Sequence, residues 1–401
     1  MKSNSVTVLV PTFNRANFLL QSLTSILGQT RPADEIIIVN DGSTDDTLEL
    51  LKPYEDRVRV LSQPNAGKAA ALNFGLKHAT GDLVWIFDDD DIAALNALEI
   101  LVGLIEANPE ASIAYGRHER FSIDPVGEFS NLGTGYWRNC ESDEFLAATL
   151  DDMFAHQQGM IVRRSLYRLA GPFNEELVRS QDYEMLIRLA RLGTSVSTEE
   201  TVFFQRVHDG MRGSHAEQIH TAKRDAAWSQ FDKVIFRKCY PELKLDEYLS
   251  KGRTVSDPVN KRHALIRRAS VMARKKLWNL TVLDLREAES TSHQSLSRPE
   301  IAALRSTFAS KYGCDEILEN TKLVDELCEI ATSSPIGSKI VAALARGLRW
   351  KVRSALFDMD PRKSVSYFLI MNKLKKAAAM PTIDIQPAKT TAFSSSEKPQ
   401  H

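Results

Sequence analysis

Gly81-Asp82-Leu83-Val84-Trp85-Ile86-Phe87-Asp88-Asp89-Asp90-Asp91 is the stretch on which the reading of this chain turns. Residues 83–87 form a short, continuous apolar run behind a Gly-Asp break, the pattern of a buried strand. Four carboxylates close its C-terminal end. Two unit charges ~4 Å apart repel by ~4 kcal/mol at an effective dielectric near ~20, so such a cluster needs compensation. Mg²⁺ or Mn²⁺ would supply it, being hard cations that prefer carboxylate oxygens and are often completed by substrate phosphates. In open α/β sheets ligands bind just outside the carboxyl ends of the strands, where this cluster falls. The plainer alternative is a solvated acidic turn in which Asp91 caps a helix beginning at Ile92 and Ala93.

Upstream, strand-like and helix-like patterns alternate. Residues 6–10 are a β-branched run stopped by Pro11, and Phe18, Leu19, Leu23, Ile26 and Leu27 then recur at helical spacing before Pro32. Residues 36–39 read as a second buried strand ended by Asn40-Asp41-Gly42. Ser43 or Thr44 caps a helix through Leu48 and Leu51, with Asp45 and Asp46 in its first turn. Residues 58–61 read as a third strand, 66–79 as an alanine-rich helix, and 83–87 as the fourth strand. This alternation predicts βαβ units and an α/β fold with a mainly parallel sheet. Downstream, 95–106 reads as a helix, 112–115 as a strand, and 120–140 as loops or short antiparallel strands. Past Gly213 the chain is helix-rich, and 381–401 reads as a disordered tail.

The 401 residues allow two or three domains. An apolar share of 43% and a charged share of 26% are those of a globular protein in water. A net charge of −1 excludes a whole-molecule bias toward nucleic acid. Cys140, Cys239, Cys314 and Cys328 form no CxxC pair, which argues against a zinc site or a disulfide framework. No run approaches the roughly 18 apolar residues of a membrane span, and the expected location is the cytoplasm.

Three strands end in chemically useful loops: Pro11-Thr12-Phe13-Asn14-Arg15, Asp41-Gly42-Ser43 and the aspartate tetrad. In a parallel sheet these ends share one edge, and a nucleoside diphosphate suits them. Asn65-Ala66-Gly67-Lys68 adds exposed N–H groups and a lysine for phosphate at a helix start. There is neither a P-loop nor a G-x-G-x-x-G.

The run VTVLVPTFNRANFLLQSLTSILGQTRPADEIIIVNDGSTDDT at 6–47 closely resembles the start of family 2 glycosyltransferases of the GT-A fold. NAGKAAALNFGL at 65–76 and DDDD at 88–91 follow in that family's order. Gly171-Pro172-Phe173-Asn174-Glu175, Gln181-Asp182 and Val207-His208 are similar to its acceptor-side elements. The resemblance covers about residues 5–215. It implies a GT-A domain at 1–215, divided into a nucleotide-sugar half at 1–110 and an acceptor half at 111–215. A helical region at 216–380 then follows.

It further implies an inverting, metal-dependent enzyme of hexosyl- or N-acetylhexosaminyl-transferase type. Such an enzyme moves a sugar from a nucleotide-diphosphate donor, with UDP as the expected nucleotide, to a glycan, lipid-linked or surface-polysaccharide acceptor. Pro11, Thr12 and Asp41 would hold the base and ribose, with Lys68 near the donor. Asp88 and Asp90 match the outer positions of the family's DxD motif, with Asp90 a direct ligand of Mn²⁺ or Mg²⁺. Asp89 would face the ribose or the sugar, and His208 the metal or the diphosphate. Asp182 matches the catalytic base of the family's "ED" pair, although Gln181 stands where glutamate is usual. Tyr136, Trp137 and Phe173 are candidates for stacking on sugar rings. The rival reading is a catalytically silent GT-A scaffold in a glycan assembly complex.

Between Lys339 and Lys376 ten basic residues face only Asp358 and Asp360, a net of +8. Leu344, Leu348, Val352, Ala355 and Leu356 fall on one helical face, with Trp350 among the cations. This pattern suits either an interfacial helix on an anionic membrane or a basic helix packed on protein.

Overall fold

The computed structural model describes residues 4–124, 126–207 and 224–381. His208 and all of the tail beyond Pro381 lie outside the described residues. The chain divides into two compact units, Met1–Val255 with Arg274–Leu277, and Ser256–Ala273 with the chain from Trp278 onward.

The first unit runs β1 (Val6–Thr12), α1 (Ala16–Leu27), β2 (Glu35–Asn40), α2 (Thr47–Leu51), β3 (Arg59–Ser62), α3 (Lys68–His78), β4 (Leu83–Ile86), β5 (Ile92–Ala93) and α4 (Ala97–Ala107). It continues through β6 (Ile113–Ile123), β7 (Phe129–Thr134), α5 (Phe145–Asp151), β8 (Met160–Arg163), α6 (Arg164–Ala170), α7 (Gln181–Leu192), β9 (Ser195–Arg206) and α8 (Arg224–Glu242). The sheet order is β3-β2-β1-β4-β8-β6-β9-β5, with β7 added beside β6. The β3-β2-β1-β4 half is parallel. Beyond β4 the sheet is mixed, because β8 runs antiparallel to both β4 and β6 while β6 and β9 are parallel.

The apolar runs are continuous because both faces of this sheet are covered. Successive side chains alternate between two cores. Val6, Val8 and Val10 join Leu83, Trp85 and Phe87 in a core with α1 and α4. Leu9, Val84 and Ile86 turn the other way, onto Ala71 and Leu72 of α3 and Met185 and Leu186 of α7. Gly75 lets α3 lie directly on the sheet, since a Cβ there would stand 2.2 Å from a Leu9 methyl. Ile92 and Ala93 pair with Phe204 and Phe203 of β9 as a strand, so Asp91 caps no helix. The helix after Asp41 begins at Thr47, later than Ser43 or Thr44 would set it, and the Asp45 carboxylate accepts from the Thr47 amide at 3.2 Å.

The second unit is helical: α9 (Pro258–Arg274), α10 (Trp278–Thr291), α11 (Arg298–Ser306), α12 (Glu316–Glu319), α13 (Thr321–Ser333), α14 (Pro335–Phe357) and α15 (Pro361–Ala378). Its interior holds Arg262, wholly buried, forked onto Glu300 at 2.7 and 3.1 Å. The carbonyls of Ser292, Gln294 and Ser295 accept its remaining N–H groups. No helix among the described residues is long and apolar enough to cross a membrane.

Candidate active site

Parallel pairing of β1, β2 and β4 brings their C-terminal ends to one edge, and hydrogen bonds lock the three loops together there. The Asp41 amide donates to the Thr12 carbonyl at 2.9 Å. Asn14, in the left-handed region at φ 52°, accepts from the Thr44 amide at 2.7 Å. The Thr12 hydroxyl donates to Asp89 Oδ2 at 2.8 Å. Pro11 is buried within β1, in register with Val39.

The aspartates are divided among distinct partners. Lys68 Nζ meets Asp88 Oδ1 at 2.6 Å. Arg15 Nη1 bridges Asp89 Oδ1 at 3.0 Å and Asp90 Oδ2 at 2.8 Å. Gln158 Nε2 donates to Asp88 Oδ2 at 2.7 Å and to Asp91 Oδ2 at 3.0 Å. Asp91 Oδ1 accepts from the Arg206 amide, and the Asp90 carbonyl from Arg206 Nε, both at 2.8 Å. Three cations, Arg15, Lys68 and Arg206, and a set of neutral donors therefore offset the repulsion of the tetrad. Burial pushes the Asp89 carboxyl up to about 6, with Asp90 adding to the rise and Arg15 and Thr12 opposing it. Burial also works against the charge on Arg15, but Asp89 and Asp90 outweigh it and hold the guanidinium above its ordinary value.

Asp88, Asp90 and Asp91 each present a carboxylate oxygen within 4.8 Å of the others. An all-oxygen, all-carboxylate donor set is the kind that Mg²⁺ and Mn²⁺ take, so the residues fit such an ion. Arg15 and Lys68 hold two of these carboxylates, and a dication would compete with them.

Asp41 is buried and serves as the anchor of the following loop. Its Oδ1 accepts from Gln63 Nε2 at 2.7 Å and the Ala66 amide at 3.0 Å. Its Oδ2 accepts from Asn65 Nδ2 at 3.2 Å and the Gly67 amide at 2.8 Å. The amides of Ala66 and Gly67, expected to be open at this helix start, are therefore engaged. A base N–H reaching Asp41 would have to replace one of these donors, since a carboxylate offers about four acceptor positions. Gly42, at φ +78°, is required where the chain folds back, because a Cβ would lie 2.7 Å from the Asn65 amide nitrogen.

Asp182 stands in the first turn of α7, half-exposed, with Oδ1 accepting its neighbour's amide at 2.9 Å. Burial opposes the Lys68 charge, and Asp88, Asp182 and Asp90 together overcome it, so the ammonium sits above its ordinary value. Lys68 is thus the charge that both the tetrad and Asp182 act on. Gln181 is buried, and its Oε1 finds no donor among the described residues. Phe173 is core, packed near Tyr167 and only 1% exposed, so it has no face for a sugar. Tyr136 is exposed and Trp137 half-buried.

Arg15 and Gln158 were not singled out in the sequence. Arg15 carried a usable signal, a cation in the loop directly after the first strand. Gln158, 70 residues from Asp88, carried none.

Residues 7–169 match the model of glycosyl transferase family 2. An uncharacterised glycosyltransferase of Haemophilus influenzae is 30% identical over 232 residues, 55% of this chain and 71% of that protein. One of Rickettsia felis is 27% identical over 262 residues, 63% of this chain, and the match spans only 42% of that longer relative. The crystal structure of residues 1–349 of S. aureus TarS shares the fold, with a TM-score of 0.50 at 16% identity over 93% of this chain and 91% of that one. The family model over residues 7–169 and the 30% identical relative, matched over 71% of its length, lead to one conclusion: the chain belongs to glycosyl transferase family 2.

Proposed function

We propose that the protein is an inverting, metal-dependent glycosyltransferase. It takes a sugar from a nucleotide-diphosphate donor, UDP-linked, to a hydroxyl of a glycan, lipid-linked or surface-polysaccharide acceptor. One observation carries the reading: Thr12, Asp41, Lys68 and the tetrad converge on one sheet edge, with Asp182 near enough for its charge to act on Lys68. The catalytic domain is assigned to residues 1–215, donor side first.

Pro11, Thr12 and Asp41 hold the base and ribose, with Gln63 or Asn65 yielding its bond to Asp41. Asp89 faces the ribose or the sugar. Asp90 and Asp88 hold Mn²⁺ or Mg²⁺, joined by His208. Such an ion, when bound, stabilises the charge that grows on the departing diphosphate. Lys68 adds a fixed positive charge beside the same group. Asp182 accepts the proton of the acceptor hydroxyl while its oxygen attacks the anomeric carbon from the face opposite the nucleotide. A bond forms between that oxygen and the carbon, the bond to the diphosphate breaks, and the sugar changes its anomeric configuration.

Calorimetric titration with UDP, GDP, CDP and dTDP, with and without Mn²⁺, tests this on wild type, Asp90→Ala and Asp182→Asn. One nucleotide is expected to bind in the presence of metal, to be lost in Asp90→Ala and kept in Asp182→Asn. In Asp182→Asn, transfer should fall by ~10²–10⁴. Absence of nucleotide binding under every condition would replace this reading with a silent scaffold.

A further inference from the structure

The α14–α15 hairpin turns two different faces to its surroundings. Leu344, Leu348 and Ala355 are buried and Val352 is half-buried. This is most of the apolar stripe that the sequence offers to lipid, and it is spent instead on packing inside the helical unit, against α10, α11, α13 and α15. A second set of large apolar side chains faces water at the turn end of the hairpin. Trp350 is 63% exposed, Phe357 83% and Met359 87%, with Leu356 on the same helix and Phe368 and Leu369 on α15 also exposed.

Cations alternate with these residues. Arg346, Trp350 and Arg353, and likewise Arg349, Arg353 and Leu356, succeed one another at three- and four-residue steps, so they share one face of α14. Arg362 and Lys376 are exposed on α15. None of these five makes an ion pair among the described residues, whereas Lys363 and Lys373 are held by Asp315 and Asp325. Of the two acids nearby, Asp360 is committed to capping α15.

We propose that this face docks on an anionic lipid bilayer. Phe357, Met359 and Trp350 would enter the boundary between headgroups and acyl chains, and the arginines would meet lipid phosphates. Two alternatives fit less well. An isologous contact with a second copy would set a cationic face against the same cationic face. A nucleic acid would satisfy the arginines but provide no apolar phase for a wholly exposed phenylalanine and methionine. The inference does not depend on the chemistry proposed for Asp182 or the tetrad.

The test is co-sedimentation of the full chain with vesicles of phosphatidylcholine alone and of phosphatidylcholine with phosphatidylglycerol, at low and high salt. The chain is expected to pellet with the anionic vesicles only, and less so at high salt. Arg349→Gln and Arg353→Gln should each weaken partitioning roughly fivefold. Phe357→Ser with Met359→Ser should weaken it more than about tenfold, and Phe357→Leu should retain most of it. The substituted side chains are exposed, so thermal melts should match wild type. Equal binding to both vesicle types, or unchanged binding by the variants, overturns the proposal. So does a dimer in sedimentation equilibrium that Phe357→Ser abolishes, or oligonucleotide binding that the arginine variants abolish without any vesicle binding.

Discussion

At the scale of single residues, the site is defined by which cation answers which carboxylate. The tetrad is plain in the sequence because four aspartates behind an apolar run have no bland local cause. Its partners are less plain. Arg15 lies 74 residues from Asp89, and its reach depends on where the first loop sits on the sheet edge. Because Arg15 holds Asp90 Oδ2, it competes with any dication for that oxygen. Arg15→Gln is therefore expected to tighten Mn²⁺ binding severalfold in calorimetry without nucleotide. It should also lower the melting temperature of the metal-free protein, since Asp89 and Asp90 lose their shared counter-charge. An unchanged Mn²⁺ affinity would mean that the ion does not use Asp90.

At the scale of elements, α7 is set in place by a network from outside the segment matched by the family model. Ser180, just before α7, adopts φ 57° and donates to Asp232 Oδ1 of α8 at 3.0 Å. Asp232 is buried with Lys275 at 3.3 Å, and the ammonium of Lys275 lies 4.6 Å from the centre of the Tyr183 ring. A left-handed serine costs on the order of 1 kcal/mol and persists because its surroundings over-determine it. Asp232→Asn removes the carboxylate from this buried pair and is expected to destabilise the protein by about 3 kcal/mol in urea unfolding. A loss below about 1 kcal/mol would show that Lys275 finds another partner. No local pattern announces this pair, since Asp232 and Lys275 are 43 residues apart and each reads as an ordinary surface charge.

At the scale of the whole molecule, part of the acid sensitivity comes from one buried histidine of the sheet. His118 of β6 is stacked on Phe203, and burial, with help from His156 and Arg120, lowers its pKa from 6.5 to about 3. Below pH 6.5 the unfolded chain takes a proton that the folded chain refuses. Stability from this group is therefore complete above pH 6.5 and falls by about 1.4 kcal/mol per pH unit toward pH 3. Between pH 6.5 and pH 5 the loss is about 2 kcal/mol for the unfolding of the first unit. His118→Asn should remove that part of the slope whatever its effect at neutral pH. If wild type and variant lose stability in parallel, His118 is protonated in the fold.

The sequence by itself determined the α/β class, the parallel running of the first strands and the position of the acidic cluster. These rest on local signals: β-branched runs, helical spacing, turn residues and charge adjacency. Its helical reading of the last third also held, since α9 to α15 follow one another there without a strand among the described residues. Only the tertiary structure decided which donors saturate Asp41, which cations hold the tetrad, that Phe173 is core, and which stripe of α14 faces water. Each of those is a choice between residues of the same type, and only packing against distant elements decides it. Leu348 and Phe357 are both apolar residues of one helix, yet packing buries the first and leaves the second in water.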